Sequence, residues 1–193
     1  MYLTEDNVPQ AALPIGPLRA HLRLGSGFAD DGVQDGVLEA CLRAALARIE
    51  AQTARALVRR GFVQHLAAWR DLGRQSLMRA PLEAVTALRI VDVGGAVETV
   101  DPARYHVERD HARPCIAARG FVLPGIPVGG RAEIAFVAGF GPDWSDVPGD
   151  LALAALTLAA AIYEERAGAD GLPGSVAALL APWRPVRIWG GLV

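Results

Sequence analysis

The chain has 193 residues, the size of one domain, with 52% hydrophobic and 21% charged residues and a formal net charge of −2. With no basic excess, it does not read as a protein that grips nucleic acid by neutralising phosphates, since such domains carry a strongly basic stripe. Cys41 and Cys115 are its only cysteines and form no CxxC pair, so neither a disulfide framework nor a zinc motif is signalled.

Met1 to Gln10 carries Glu5 and Asp6 and lacks the cationic start and apolar core of a signal peptide, so no export and a reducing cytosolic setting are expected. The terminal segments are the ones expected to be mobile. Pro14-Ile-Gly-Pro17 leads into a short helical turn, Leu18 to Leu22, where the missing N–H of Pro17 costs nothing. Asp30 and Asp31 can cap a longer helix to about Thr53, because Val33, Val37, Leu38, Cys41, Leu42, Ala45, Leu46 and Ile49 recur at steps of three and four. Glu39, Arg43, Arg48 and Glu50 take the other face.

From Leu57 the pattern changes to short segments separated by Gly, Pro and Asp: Leu57 to Trp69, Ser76 to Arg79, Val85 to Val93, Ala96 to Thr99, Arg104 to Glu108, Cys115 to Ala118 and Arg131 to Ala138. These predict strands of a small antiparallel β module. Gly94-Gly95 reads as a hairpin turn in which paired glycines supply positive φ. In the last segment Arg131 and Glu133 alternate with Ala132 and Ile134, then Ala135 to Ala138 is continuously apolar, as where a strand leaves an edge for a covered region.

A second long helix starts near Asp146, with Asp146 as its cap, Pro148 in its first turn and Asp150 at its positive end. Its run from Leu151 to Tyr163 is apolar all round, yet shorter than the roughly 20 residues a membrane span needs. It therefore reads as a helix surrounded on most sides, some of its neighbours coming from another chain. Leu151, Leu153, Leu156, Leu158, Ile162 and Tyr163 are the candidate subunit-packing residues. Pro173 to Leu180 makes a last short helix, and Pro182 and Pro185 stop it.

Catalytic and ligand-binding signatures are weak. His106, Glu108, Asp110, His111 and Cys115 are the densest polar set, but no zinc signature has their spacing. A small cytosolic hydrolase or metal enzyme using His106, Asp110 and His111 is the alternative reading, against a polar hairpin. His21 and His65 stand alone. The clusters Gly94-Gly95, Gly129-Gly130 and Gly139-Phe-Gly141 match no phosphate loop, and a lysine-free chain has no Walker lysine. No catalytic, cofactor or metal residue is expected.

The tail differs. Trp183, Arg184, Arg187, Ile188 and Trp189 sit on a proline-broken segment with no evident core to join, and Trp and Arg are enriched where proteins dock. Two readings stay open, a docking tail or a tail folded back on its own domain.

An ordered series of motifs over about residues 14–189 resembles the head–tail connector, or adaptor, proteins of long-tailed phages and gene transfer agents. It comprises Leu18-Arg-Ala-His-Leu22-Arg, the acidic Asp30-Asp31, Ile49-Glu50 and Thr53-Ala-Arg55-Ala-Leu57. Ala80-Pro81-Leu82, Leu88-Arg-Ile90, Tyr105, Ala138-Gly-Phe-Gly141, Val147-Pro148, Tyr163-Glu164 with Arg166, and Leu179-Leu180 before Pro182-Trp183-Arg184 complete it. Relatives often carry Tyr where this chain has Trp183, and the β module is larger than in purely helical connectors. The lysine-free, alanine- and arginine-rich composition is most like a gene transfer agent adaptor.

The resemblance implies an α+β fold in a single connector domain, 1–193. Helices over 14–55 and 146–181 form the core, the β module spans 57–138, and 182–193 is an extended docking tail. It also implies a non-enzymatic, dodecameric ring assembled in the bacterial cytoplasm and carried in the neck of a phage-like particle. That ring would sit between the portal protein and the stopper or tail-completion protein, with DNA passing through its lumen without specific binding and no membrane contact. The tail, able to reach about 40 Å when extended, would dock on the portal.

Overall fold

The computed structural model describes residues 1–24, 34–164 and 171–185, and the chain divides into two compact units. Met1–Val8 with Arg55–Asp146 make a sheet unit; Pro9–Ala54 with the chain from Val147 onward make a helical unit. The class is α+β, with both sheets antiparallel.

The strands, in chain order, are β1 (Tyr2–Glu5), β2 (Arg60–Leu66), β3 (Arg74–Ser76), β4 (Leu82–Val91), β5 (Val97–Thr99), β6 (Tyr105–Glu108), β7 (Cys115–Ala118) and β8 (Arg131–Ala138). Five of them form a sheet in the order β1-β2-β8-β4-β5, and three form a smaller one, β3-β7-β6. Along β2 and β8 every second residue is buried, the period-2 signature of a sheet with one covered face. Register sets Phe62 opposite Phe136, and their rings stack with centroids 5.4 Å apart. Around them Leu66, Leu88, Ile90 and Ile134 join Ile116 of the small sheet in one core, each such side chain contributing about 1.5–3 kcal/mol by leaving water.

Buried polar groups need partners, and Gln64 has them. Fully buried, it donates to the Ser76 carbonyl at 3.1 Å and accepts from the Met78 N–H at 2.9 Å, tying β2 to the chain that leaves β3.

Four expectations for the sheet unit change. The N-terminus is not loose: β1 pairs with β2 and Tyr2 stacks on His65 at 4.3 Å. The strand expected at Ser76 to Arg79 lies at Arg74–Ser76, where it can pair with β7. In the β4–β5 hairpin only Gly95 takes positive φ, at +85°, while the Asp92 carboxylate accepts the Ala96 N–H at 2.8 Å. Finally, β8 never leaves an edge; it is central, between β2 and β4 from Ala132 to Ala138. Its continuous apolar stretch arises because Ala135 and Val137 face the opposite side of the sheet from Ile134 and Phe136 and are apolar too.

The helices of the second unit are α1 (Ile15–His21), α2 (Asp35–Thr53), α3 (Gly149–Glu164) and α4 (Gly174–Leu180). On α2, Leu38, Cys41, Leu42, Ala45, Leu46 and Ile49 are buried at the steps the sequence shows. On α3 the buried set is Leu151, Ala154, Ala155, Leu158, Ala159 and Ala160, and α2 packs against this helix. Arg19 of α1 reaches Asp35 of α2 at 2.6 Å, and Glu39 pairs with Arg43 one turn on at 2.8 Å. The expected cap of α3 also changes. Asp146 ends a 3-10 turn, Trp144–Asp146, ahead of the helix, and its carboxylate accepts the Asp143 N–H at 3.1 Å. Asp30, Asp31 and Val33 lie outside the described residues, and α2 begins after Gln34 with no side-chain cap.

Candidate interaction surfaces

Helix α3 sorts the six candidate packing residues by its own geometry. Leu151 and Leu158 are fully buried, Leu156, Ile162 and Tyr163 are half-buried, and Leu153 is 46% exposed. Leu153 and Leu156, one turn apart, lie on one face of the helix, as the 3.6-residue period requires. The helix is thus covered on the α2 side and open on the Leu153 side, where its apolar residues meet solvent in the single chain.

After α4 a 3-10 turn, Ala181–Trp183, sets the indole of Trp183 against the first turn of α3. Its Nε1 donates to Asp150 Oδ2 at 2.5 Å, while Asp150 Oδ1 accepts the Leu151 N–H at 2.9 Å. One carboxylate therefore serves the positive end of α3 and fixes the start of the tail. Exposed Arg184 donates to Gln52 Oε1 at 3.3 Å. Arg187, Ile188 and Trp189 lie outside the described residues.

The polar set of the β module divides into separate local contacts. The Asp110 carboxylate accepts the N–H groups of Arg113 and Ala112, at 2.6 and 2.7 Å, and these hold its pKa below the usual range. The backbone carbonyl of His111 accepts from Arg55. His106 approaches Glu108 at 3.6 Å. Glu108 in turn accepts the Cys115 thiol at 3.2 Å and pairs with Arg74, and the thiol chiefly, with Arg74, lowers its pKa. Burial, then Glu108, raises the pKa of Cys115, which stays a neutral donor. His106, Asp110 and His111 do not converge on one point, and among the described residues no three metal-ligating side chains do. His21 is exposed on α1; His65 is held between Tyr2 and Glu133.

Among the described residues no helix is long and apolar enough to cross a membrane. No family model matches the sequence, and no curated protein does. Solved structures do. A chain in the neck of an empty gene transfer agent particle, computed with C6 symmetry, superposes with a TM-score of 0.90 at 50% identity over 99% of each chain. The chain belongs to this family of gene transfer agent neck proteins. Chains of a native gene transfer agent virion and of a native particle neck computed with C12 symmetry match at 51% and 47% identity, with TM-scores of 0.87 and 0.85, again over 99% of each chain. With them the protein is a structural particle component of the head–tail connector type and not an enzyme.

Sequence reasoning passed over two surfaces of the sheet unit. One is the face of the five-stranded sheet opposite its core, lined by Gly61, Val63, Ala135 and Val137. The other is the loop between β7 and β8, where Phe121 and Val128 are wholly exposed. The signal for the loop was present: Gly120-Phe-Val-Leu-Pro-Gly-Ile-Pro-Val-Gly-Gly130 mixes large apolar residues with turn formers and follows neither period.

Proposed function

We propose that the protein is the head–tail adaptor subunit of a gene-transfer-agent-like particle, forming a dodecameric ring between the portal and the stopper or tail. The carrying observation is 50% identity over 99% of both chains to a protein of a gene transfer agent neck. Rotational symmetry of the related necks supports a ring whose subunits meet head to tail, through two different patches on each copy. The exposed Leu153 side of α3 is one such patch. With 19 arginines outnumbered by 21 acids and a net charge of −2, the ring has no basic excess to hold translocating DNA. Assembly takes place in the bacterial cytoplasm, and the subunit leaves in the particle neck.

The tail docks on the portal. Trp183, tied to Asp150, acts as the anchor that aims it, and Arg184, Arg187, Ile188 and Trp189 carry the contacts. Because Trp183 belongs to the folded unit, the cleanest test removes 186–193 and keeps the indole. The truncated protein is expected to melt like the parent and to be missing from purified particles. Particles containing it at the normal level would refute portal docking through this segment.

A further inference from the structure

The open face of the large sheet and the Phe121 loop have complementary form. On the sheet face, Thr4, Asp6, Gly61, Val63, Thr86 and Val137 line a groove of about 220 Å³. Its floor is flat because Gly61 and Ala135 carry little or no side chain. A Cβ on Gly61 would collide with Asp6 Oδ2, so the carboxylate leans over the floor where a side chain would otherwise be. Glu5 adjoins it but is paired with Arg60 at 3.0 Å, so Asp6 is the acid the groove presents to a partner.

The loop is the reverse of this. Phe121 projects with its ring wholly exposed, and Leu72 and Val122 are exposed as well. The loop is held firmly: the Leu123 N–H donates to the Leu72 carbonyl at 2.7 Å, and Trp69 Nε1 donates to the Pro124 carbonyl at 2.7 Å. Leu123 itself is buried. Arg119, two residues before the ring, and Arg70, beside Trp69 in sequence, are exposed and without an ion pair among the described residues. Arginine is enriched where binding energy concentrates, and Phe121, Val122 and Leu72 together form an exposed apolar patch of the kind that marks an interaction site.

We propose that the Phe121 loop of one copy seats in the Gly61–Val137 groove of the next copy, with Arg119 against Asp6. This rests on the ring reading, because a ring closed by rotation needs each copy to present two unlike, matching patches. The occupant is a second copy because charge and shape match within the same chain. The basic surrounds of the loop face the Asp6 carboxylate, and a protruding ring faces a recess of side-chain size.

The test places Phe121→Cys and Thr86→Cys together in the full-length chain, assembles particles and oxidises them with copper phenanthroline. The native thiols, Cys41 and Cys115, are buried. A ladder of adaptor multiples on a non-reducing gel is expected, with none from either single variant. Particles that contain the chain but give no ladder, or that link the loop's introduced thiol to a different protein, overturn the pairing and leave the ring standing. A parental chain absent from purified particles removes the ring reading and the pairing with it. Independently, Phe121→Asp should weaken each contact by about thirtyfold or more with an unchanged melting curve. Asp6→Arg and Arg119→Glu should each lower incorporation, and restore it when combined; normal incorporation of Phe121→Asp overturns the proposal.

Discussion

The helical unit and the sheet unit bury their apolar residues by different routes. In the helical unit each covered face is written within a single helix: α2 presents its stripe at three- and four-residue steps, and the distant α3 meets it with a stripe of its own, Leu151, Ala154, Ala155 and Leu158. In the sheet unit the covered face is assembled from far apart, since β8 enters between β2 and β4. The surplus differs as well. A helix leaves it as one side, at Leu153 and Leu156, whereas the sheet leaves a whole second face and a loop tip. Local periodicity thus announces a helix's spare face, but a sheet's becomes visible only when the strand order is known.

The largest expected effect falls on the long-range closure of the sheet. Gly139 follows β8 at φ +135°, and a Cβ there would collide with Arg59 Cα and lie 2.7 Å from the Val58 carbonyl carbon. These are backbone atoms with nowhere to go. Gly139→Ala should cost about 3 kcal/mol or more, combining a glycine-only conformation with a backbone clash. Urea unfolding followed by tryptophan fluorescence should show it. If the melt of Gly139→Ala matched the parent, the claim that β8 is fixed by this crossing would fail.

Much of this molecule is legible in its residues alone, for reasons that can be named. The helix α2 and its buried residues follow from a period of 3.6, and the β segments from their alternation and turn residues, to within a few positions. Strand order does not follow, because pairing of β2 with β8 joins residues about seventy positions apart through backbone groups that every residue possesses. The strand β1 escapes for the same reason: Tyr2–Glu5 is short and mostly polar, and holds to β2 by its backbone, one stacked ring and the Glu5–Arg60 ion pair at 3.0 Å. Trp183 stands out as a special residue, but its partner Asp150 is set by the return of α4 to α3. The Phe121 loop is easily passed over when its glycines and prolines are taken as turn formers alone.

Two leucines of one helix sharpen the contrast at intermediate size. Leu158 is 1% exposed and packs in the chain's own core, so Leu158→Ala should cost about 2–5 kcal/mol in unfolding free energy. Leu153 is 46% exposed, and Leu153→Ala should change stability by no more than about 0.5 kcal/mol. Its effect should appear only on assembly, as reduced incorporation into particles. Equal losses of stability from both would mean that α3 is covered on all sides within one chain, leaving no spare helix face for a neighbour.

The smallest effect is a pH dependence confined to the sheet unit. Glu108 has its pKa lowered, first by the Cys115 thiol and then by Arg74, which it meets across the small sheet. A carboxylate whose folded pKa lies below its unfolded one stabilises the fold at pH values above the unfolded pKa, and that contribution disappears as pH falls through the folded value. The unfolded reference is 4.5, so the loss belongs to acid below that point and leaves neutral pH untouched. Glu108 faces solvent, where screening keeps such pairs weak, so the readable quantity is the titration midpoint. Carbon NMR of the Glu108 carboxyl should give a midpoint below 4.5, and Cys115→Ala should raise it by removing the first donor while Arg74 stays in place. A midpoint indifferent to the thiol would assign the whole shift to Arg74, and the buried cysteine would then be a packing residue alone.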